Sequence, residues 1–239
     1  IYMPELPEVE VVKRSLINKA QNSIIKSVKI NDGRLRYKVN RNQIKKIVGL
    51  KLQKISRRSK FLLFFFNKDI VMLVHLGMTG KFFFINKKNT KYKTSFYYDI
   101  NEEKDKKHDR IIFGLSRDQK LIYNDVRKFG FIKFLNKINL NKNLHLKNLG
   151  PEPLNKKFSF AYFKKYIRGR NRTTKDILMD QKFVSGLGNI YVNEILFFSG
   201  IRPEKKIKNL LDSDIKKIIK FTKKILLKAI ALGGSSVKN

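Results

Sequence analysis

The chain has 239 residues, with 54 Lys and Arg against 19 Asp and Glu, so its formal charge at pH 7 is +35. A positive charge of this size predicts a polyanionic partner, and nucleic acid fits it best. Hydrophobic residues make up 42% of the chain, which excludes a disordered basic tail. The absence of cysteine excludes disulfides, thiol nucleophiles and cysteine-ligated metal sites within the chain.

No segment of the sequence predicts insertion into a membrane. The longest uninterrupted apolar run covers residues 61–66, far short of the roughly 20 residues that a membrane-spanning helix needs. The first ten residues include Glu5, Glu8 and Glu10 and do not have the pattern of an export leader. The lysines are scattered rather than gathered on one amphipathic helix, which favours nucleic acid over an anionic membrane surface. We therefore expect a cytoplasmic protein without membrane contacts.

The N-terminal part is predicted to contain one helix followed by many short strands. Residues 4–20 begin with prolines and acids, which suit a first helical turn, and continue with apolar residues at helical spacing. Short runs rich in Ile, Val, Phe and Tyr then alternate with turn-like segments, as in an antiparallel sandwich or barrel. The predicted strands cover residues 24–30, 50–56, 61–66, 70–75, 81–85, 95–100, 110–115, 120–124 and 131–135.

The C-terminal part is predicted to be helical and to follow a linker. Residues 136–147 are rich in Asn and Lys, and a Gly-Pro-Glu-Pro segment follows at 150–153, so we expect the linker to end near residue 155. Residues 233–239 read as a flexible connection. Helical spacing of apolar residues predicts helices over residues 158–167, 173–179, 189–198 and 213–232.

Residues 4–8 allow two interpretations. The first is a helix start stabilised by proline and by acids that match the helix dipole. The second requires a free amine: if translation begins at Met3 and the methionine is removed, Pro4 presents a secondary amine with a pKa near about 8. Such an amine can attack a sugar carbon and form an iminium ion, while the neighbouring Glu5 supplies a proton as general acid.

Five other segments also allow two interpretations: each contacts DNA, or each is an ordinary turn or loop. Residues 57–61 and 107–110 are basic, and residues 75–80 and 124–130 suit hairpin turns in which Met78 packs in the core. Residues 186–191 place two glycines before a predicted helix with Asn189 as its cap, which would let backbone N–H groups approach a phosphate. The sequence contains no nucleotide-binding fingerprint and no His-Glu-x-x-His zinc motif.

Taken together and in this order, six segments closely resemble bacterial formamidopyrimidine-DNA glycosylase, also called 8-oxoguanine DNA glycosylase. The segments are residues 4–10, 58–61, 75–80, 125–130, 149–154 and 186–191, and the resemblance runs from residue 3 to residue 239. It implies an α+β protein with an N-terminal antiparallel β-sandwich flanked by helices, followed by a helix–two-turns–helix domain. The corresponding bounds are 3–135 for the catalytic domain, 136–155 for the linker and 156–239 for the DNA-binding domain.

The resemblance also implies the chemistry. Pro4 corresponds to the Schiff-base nucleophile, Glu5 to the proton donor and Lys60 to a lysine that assists catalysis. The implied activity is that of a bifunctional enzyme, which excises 8-oxoguanine or formamidopyrimidine from double-stranded DNA and then cleaves the abasic strand by β- and δ-elimination. We expect a monomer that acts on damaged DNA of the bacterial nucleoid.

Two groups of residues are implied to contact the DNA. Met78, Arg127 and Phe129 correspond to the side chains that the family inserts into the duplex, and Arg127 would hydrogen-bond the orphaned cytosine. The damaged base must leave the stack to be cleaved, so such a wedge holds the gap open. The positions expected to grip DNA, mainly at phosphates, are His108, Arg127, Arg170, Lys175 and Asn189.

The sequence departs from the family pattern at both ends. Ile1 and Tyr2 precede Met3, and their retention would make the Pro4 nitrogen an unreactive amide, so we expect translation to start at Met3. The family continues into a four-cysteine zinc finger, whereas this chain has no cysteine, so no cofactor is expected within it. Two alternatives remain open: an enzyme of the endonuclease VIII type for oxidised pyrimidines, and a truncated, inactive DNA-binding remnant. Leu6 and the inserted set favour the purine enzyme over the endonuclease VIII type.

Overall fold

The computed structural model describes residues 3–95 and 106–234. Within these residues, two antiparallel sheets are followed by a set of helices, which confirms the predicted α+β class. Ile1, Tyr2, residues 235–239 and the predicted strand at 95–100, apart from Ser95, lie outside the described residues. The proposed domain bounds stay a prediction.

The strands form two sheets that pack face to face. One sheet has the order β1-β7-β8-β5-β6 and the other β2-β3-β4-β9, with antiparallel neighbours throughout. The short strand β6 was not predicted, because its three residues alternate lysine and tyrosine and carry little apolar signal. The strands are β1 (Ile25–Ile30), β2 (Leu52–Arg58), β3 (Phe61–Phe66), β4 (Ile70–His75), β5 (Gly80–Ile85), β6 (Lys91–Lys93), β7 (Asp109–Leu115), β8 (Gln119–Asp125) and β9 (Phe131–Asn136).

Strand β3 is apolar on both faces because both faces are covered. Phe64 points into the core between the sheets, where its ring centroid lies 5.6 Å from that of Phe82. On the opposite face, Leu63 packs in a second cluster with Leu140 and Leu146 from the segment that follows β9. The continuous apolar run at 61–66 is thus the pattern of a strand buried on two sides.

One helix precedes the strands, one short helix lies between β1 and β2, and the other described helices follow β9. None of the described helices is long and apolar enough to cross a membrane. The C-terminal helices share a core separate from the sandwich core. The helices are α1 (Leu6–Ala20), α2 (Arg41–Lys45), α3 (Phe160–Ile167), α4 (Thr174–Met179), α5 (Asn189–Ser199) and α6 (Asp212–Ala231), with 3-10 turns at Lys137–Lys142 and Ile207–Asn209.

Helix α1 begins at Leu6, two residues later than the pattern predicts. Glu5 has an extended backbone and acts as the N-cap, and its backbone N–H donates to the Glu8 carboxylate at 3.0 Å. Pro7 sits in the first turn, where a missing N–H costs nothing. This cap lets the Glu5 side chain point away from its own helix, toward the C-terminal part of the chain.

Buried polar contacts join the sandwich to the helical part. The Arg58 guanidinium donates to the backbone oxygens of Leu149 (2.9 Å) and Gly150 (2.6 Å) and to Ser185 Oγ (2.6 Å). Arg57 forms an ion pair with Glu152 at 2.7 Å. The interpretation of residues 57–61 as a solvated basic turn is therefore wrong, because their partners lie far along the chain and are invisible to a local pattern.

Candidate active site

The Glu5 carboxylate is held by the N-terminus of helix α5. It accepts hydrogen bonds from the backbone N–H groups of Gly188 (2.6 Å), Ile190 (2.9 Å) and Tyr191 (3.5 Å). These amides carry the positive end of the helix dipole, which favours a negative group. The sequence suggested a phosphate at this glycine-rich loop; in the structure, the carboxylate of Glu5 takes that place. Gly188, not Asn189, is the N-cap.

Both glycines of the loop are needed for this contact. Gly186 has a φ of +96°, a conformation that favours glycine. A Cβ atom on Gly188 would overlap Glu5 Cδ and would lie 2.8 Å from Lys60 Nζ. The backbone of this loop therefore lies closer to the side chains of Glu5 and Lys60 than it could with any residue other than glycine at position 188.

Lys60 lies beside Glu5 at the tight turn between β2 and β3. The turn is possible because Ser59 adopts a φ of +56°, and its N–H donates to Glu152 at 2.6 Å. Lys60 is only 7% exposed and Glu5 3%. Two groups of opposite charge are thus placed together in a site largely closed to water.

Burial moves the proton affinities of this pair in opposite directions. Burial raises the pKa of Glu5, and the charge of Lys60 together with the Ile190 and Gly188 amides opposes that change. Burial lowers the pKa of Lys60, opposed by Glu5 and Glu8. Both changes bring the groups closer to the range in which a side chain can give and take protons near neutral pH.

A cavity of about 600 Å³ opens onto this pair. Its lining includes Met3, Glu5, Lys60 and Asn189. Met3 lines this cavity, and the next residue, Pro4, is buried. Of the three residues predicted to be catalytic, the structure brings Glu5 and Lys60 together at this cavity, whereas Pro4 is adjacent to Glu5 in the chain but does not line the cavity.

A second cavity of about 580 Å³ contains the three residues predicted to enter the duplex. Met78, Arg127 and Phe129 line it, and it shares Arg36 and His75 with the first cavity. The Arg127 guanidinium lies 4.5 Å from the centre of the Phe129 ring, which is 45% exposed. The predicted wedge is therefore adjacent to the predicted catalytic residues.

The fully buried Asp125 holds the two loops of this wedge together. Its carboxylate accepts hydrogen bonds from the Thr79 hydroxyl (2.5 Å) and from the backbone N–H of Gly130 (2.9 Å) and of Lys128 (3.1 Å). Thr79 Oγ1 in turn accepts from the Arg127 backbone N–H at 2.9 Å. Residues 75–80 and 125–130 form one structural unit, although each segment alone looks like a turn.

The other residues predicted to grip DNA are dispersed. His108 lies just before β7, with its Nδ1 3.2 Å from a guanidinium nitrogen of Arg110. Lys175 lies in the first turn of α4. Arg170 is exposed after α3, with its guanidinium 4.2 Å from the Tyr166 ring centre. Of these positions, only Asn189 lines the catalytic cavity.

Three ionisable cavity residues were not singled out from the sequence as site residues: Arg36, His75 and His145. The Gly77 backbone N–H donates to His75 Nδ1 at 3.0 Å, so the neutral ring carries its proton on Nε2. Burial and nearby Lys60 and Arg36 lower the pKa of His75 to about 4, which keeps the ring neutral. His145 lies in the polar linker, where no periodic pattern marks it.

A zinc finger of the kind that the resemblance implies cannot be built from this chain. The sequence contains no cysteine. Among the described residues, no group of three or more His, Asp or Glu side chains is arranged to hold a metal ion.

Comparison with known proteins agrees with these observations. Residues 3–132 match the profile of the formamidopyrimidine-DNA glycosylase N-terminal domain, and residues 149–239 match that of the formamidopyrimidine-DNA glycosylase H2TH domain. The formamidopyrimidine-DNA glycosylase of Rickettsia felis is 38% identical over 237 residues, which are 99% of this chain and 80% of that protein. The Rickettsia bellii protein is also 38% identical, with 99% of this chain and 81% of that protein covered.

Solved structures with the same fold include complexes with DNA. A complex of Lactococcus lactis Fpg with DNA containing an abasic site has a TM-score of 0.84 and 35% identity, covering 98% of this chain and 82% of that one. A complex of wild-type Lactococcus lactis Fpg with DNA containing N7-benzyl-Fapy-dG has a TM-score of 0.84 and 34% identity, covering 99% of this chain and 82% of that one.

Proposed function

Because the chain belongs to the formamidopyrimidine-DNA glycosylase family, we propose that it excises oxidised purines from double-stranded DNA and cleaves the resulting abasic strand. One observation carries the proposal: Glu5 and Lys60 are buried side by side at a cavity that is also lined by Met3, the residue before Pro4. An amine, a proton donor and a second proton carrier at one cavity are the groups that glycosidic cleavage through a Schiff base requires.

The proposed reaction starts from Pro4 as the N-terminal residue. Its nitrogen donates a lone pair to C1′ of the damaged nucleoside, and the glycosidic bond breaks as Glu5 supplies a proton to the departing base or the sugar ring oxygen. The C1′–O4′ bond then breaks as the proton on nitrogen passes to O4′, which gives an iminium ion and a 4′-hydroxyl group. Removal of a C2′ proton then expels the 3′ phosphate, and a second elimination expels the 5′ phosphate. Lys60 exchanges protons in these steps.

The wedge residues give the reaction access to the base. A stacked base cannot reach the Glu5 cavity, so the damaged nucleotide is flipped out and its place filled. Met78 and Phe129 suit the gap as apolar groups, and the Arg127 guanidinium suits the Watson–Crick edge of the unpaired cytosine. Their cavity shares Arg36 and His75 with the cavity at Glu5, which supports a gap close to the reacting sugar.

Arg127→Ala is expected to reduce the preference for damage opposite cytosine by roughly 10-fold, because a bidentate contact to one base is lost. The measurement is the single-turnover excision rate for 8-oxoguanine opposite each of the four bases. Arg117→Ala is the matched control. Arg117 is exposed in the turn before β8, whereas Arg127 follows the opposite end of that strand. Unchanged discrimination in the Arg127 variant would contradict the proposed role.

Borohydride trapping tests the proposed function directly. Protein that begins at Pro4 is mixed with a duplex containing 8-oxoguanine opposite cytosine, or with an abasic duplex, and is then reduced. We expect a covalent adduct with both substrates. The same protein with residues 1–3 retained should give none, because its proline nitrogen is an amide.

Pro4→Gly, also produced with a free N-terminus, should sharply reduce excision while DNA binding is retained. Glycine keeps an amine but changes its basicity and its rigidity. Adducts that form equally well when residues 1–3 are retained, or undiminished excision by the glycine variant, would remove Pro4 from the mechanism. A duplex with an oxidised pyrimidine serves as the comparison substrate, and faster excision from it would refute the assignment to purines.

A further inference from the structure

The wall of the catalytic cavity formed by Arg36 and His145 presents hydrogen-bond donors. Arg36 and His145 both line the cavity, and His145 comes from the segment that joins the two domains. Of the described residues that line the cavity, Glu5 is the only acid, and its carboxylate is engaged by the α5 amides. This wall is therefore suited to an anion.

His145 is fixed in one tautomer by its neighbour. Its Nε2 lies 3.1 Å from Lys133 Nζ, and because an ammonium group can only donate, Nε2 is the acceptor. Burial and the charges of Lys133 and Arg36 lower the pKa of His145, which keeps the ring neutral. The remaining ring proton is on Nδ1, where it can be donated to a ligand.

Aromatic rings hold this donor in place. The His145 ring lies 4.7 Å from that of Phe131 and 6.0 Å from that of Phe61, measured between centroids. Lys133 Nζ lies 3.9 Å from the centre of the Tyr37 ring, a cation–π contact. The contacts of Lys133 within the described residues are thus with a neutral ring nitrogen and an aromatic face rather than with an acid.

We propose that His145, backed by Lys133 and flanked by Arg36, forms a subsite for one phosphate of the damaged strand next to the flipped nucleotide. The inference rests on the proposed function, since it requires DNA in the catalytic cavity. A phosphodiester supplies acceptor oxygens only, which matches a wall of donors. The subsite would fix the strand through the interdomain linker as well as through the two domains.

The subsite is tested by binding rather than catalysis. The ligand is a duplex with a tetrahydrofuran abasic analogue, in which single phosphates of the damaged strand are replaced one at a time by neutral methylphosphonates. For the unmodified protein, we expect one replacement near the analogue to weaken binding by roughly 10-fold. His145→Phe keeps a packed ring but removes the donor. In this variant, the same methylphosphonate replacement should not weaken DNA binding any further.

Lys133→Met gives an independent measurement. It removes a charge and keeps an apolar stem, so the slope of log affinity against log salt should fall by about 1 if Lys133 acts on a phosphate. Lys137→Met, in the 3-10 turn after β9, is the control that changes net charge equally. A slope lowered to the same extent by both variants would overturn the proposal.

A purely structural role for His145 predicts a different pattern. In that case, His145→Phe would bind as well as the unmodified protein, and the methylphosphonate profile would not change. That result would refute the subsite. Failure of the proposed function would be seen separately, as absence of the borohydride adduct in a protein that still binds the analogue.

Discussion

Glu5→Gln is expected to lower base excision by about 10²–10⁴-fold, the usual loss when a general acid is removed. The Gly188 and Ile190 amides donate to different oxygens of Glu5, so glutamine keeps the shape of the side chain and one of these two contacts. The fold and DNA binding should therefore persist. The measurement is the single-turnover excision rate on an 8-oxoguanine duplex. Glu194→Gln, the same change at an exposed position of α5, should leave the rate unaltered.

The pH dependence follows from the same residue. Because burial raises the pKa of Glu5, excision that needs its protonated form should fall as pH rises through that raised pKa. The stability of the protein should depend on pH in the same direction. The contribution of Glu5 to the free energy of unfolding is fully present below its ordinary pKa and is lost as pH rises through the raised pKa. Glu5→Gln should therefore gain stability relative to the unmodified protein at high pH. An excision profile that keeps its alkaline limb in this variant would contradict Glu5 as the acid.

Gly188→Ala is expected to abolish excision and to lower the free energy of unfolding by about 1–3 kcal/mol. The new methyl group would overlap Glu5 Cδ and meet Lys60 Nζ at 2.8 Å, and neither group can move away without losing its buried contacts. Gly33→Ala is the matched control, since the nearest atom to its Cβ would be an Ile30 methyl at 3.4 Å. Thermal unfolding and single-turnover excision measure the two effects.

The result for the glycine pair distinguishes two explanations of the loop. If Gly188→Ala retained excision, the loop would not need to approach Glu5 closely for catalysis. If it lost stability without losing activity, the glycine would serve packing alone. Near-neutral behaviour is expected only for Gly33→Ala, whose surroundings provide ordinary van der Waals space.

The sequence was most informative where a single segment contains the whole signal. The run at 61–66 predicts strand β3 with the observed bounds, because its apolar residues pack against other residues on both faces of the strand. The order of short strands and then helices predicts the α+β class for the same reason. Family membership, suggested by six short segments, is confirmed by matches over both parts of the chain.

The sequence was least informative where partners come from distant parts of the chain. A glycine-rich helix start indicates an anion but does not distinguish a phosphate from the carboxylate of Glu5, which is more than 180 residues away. Arg58 looks solvated until the carbonyls of Leu149 and Gly150 are placed beside it. The roles of the individual catalytic and DNA-contacting residues stay predictions, for which the experiments above provide the tests.

The hydrogen bonds from helix α5 to Glu5 make the proton affinity of this residue depend on the arrangement of the two domains. Glu5 belongs to the N-terminal part and its amide donors to the helical part, so separating the parts would admit water to the carboxylate. Its pKa would then return toward the ordinary value and the proton would be released. By thermodynamic reciprocity, a proton on Glu5 favours the closed arrangement as much as closure favours the proton. Separation of the two parts would thus lower the proton affinity of Glu5, which couples the protonation of this residue to the domain arrangement.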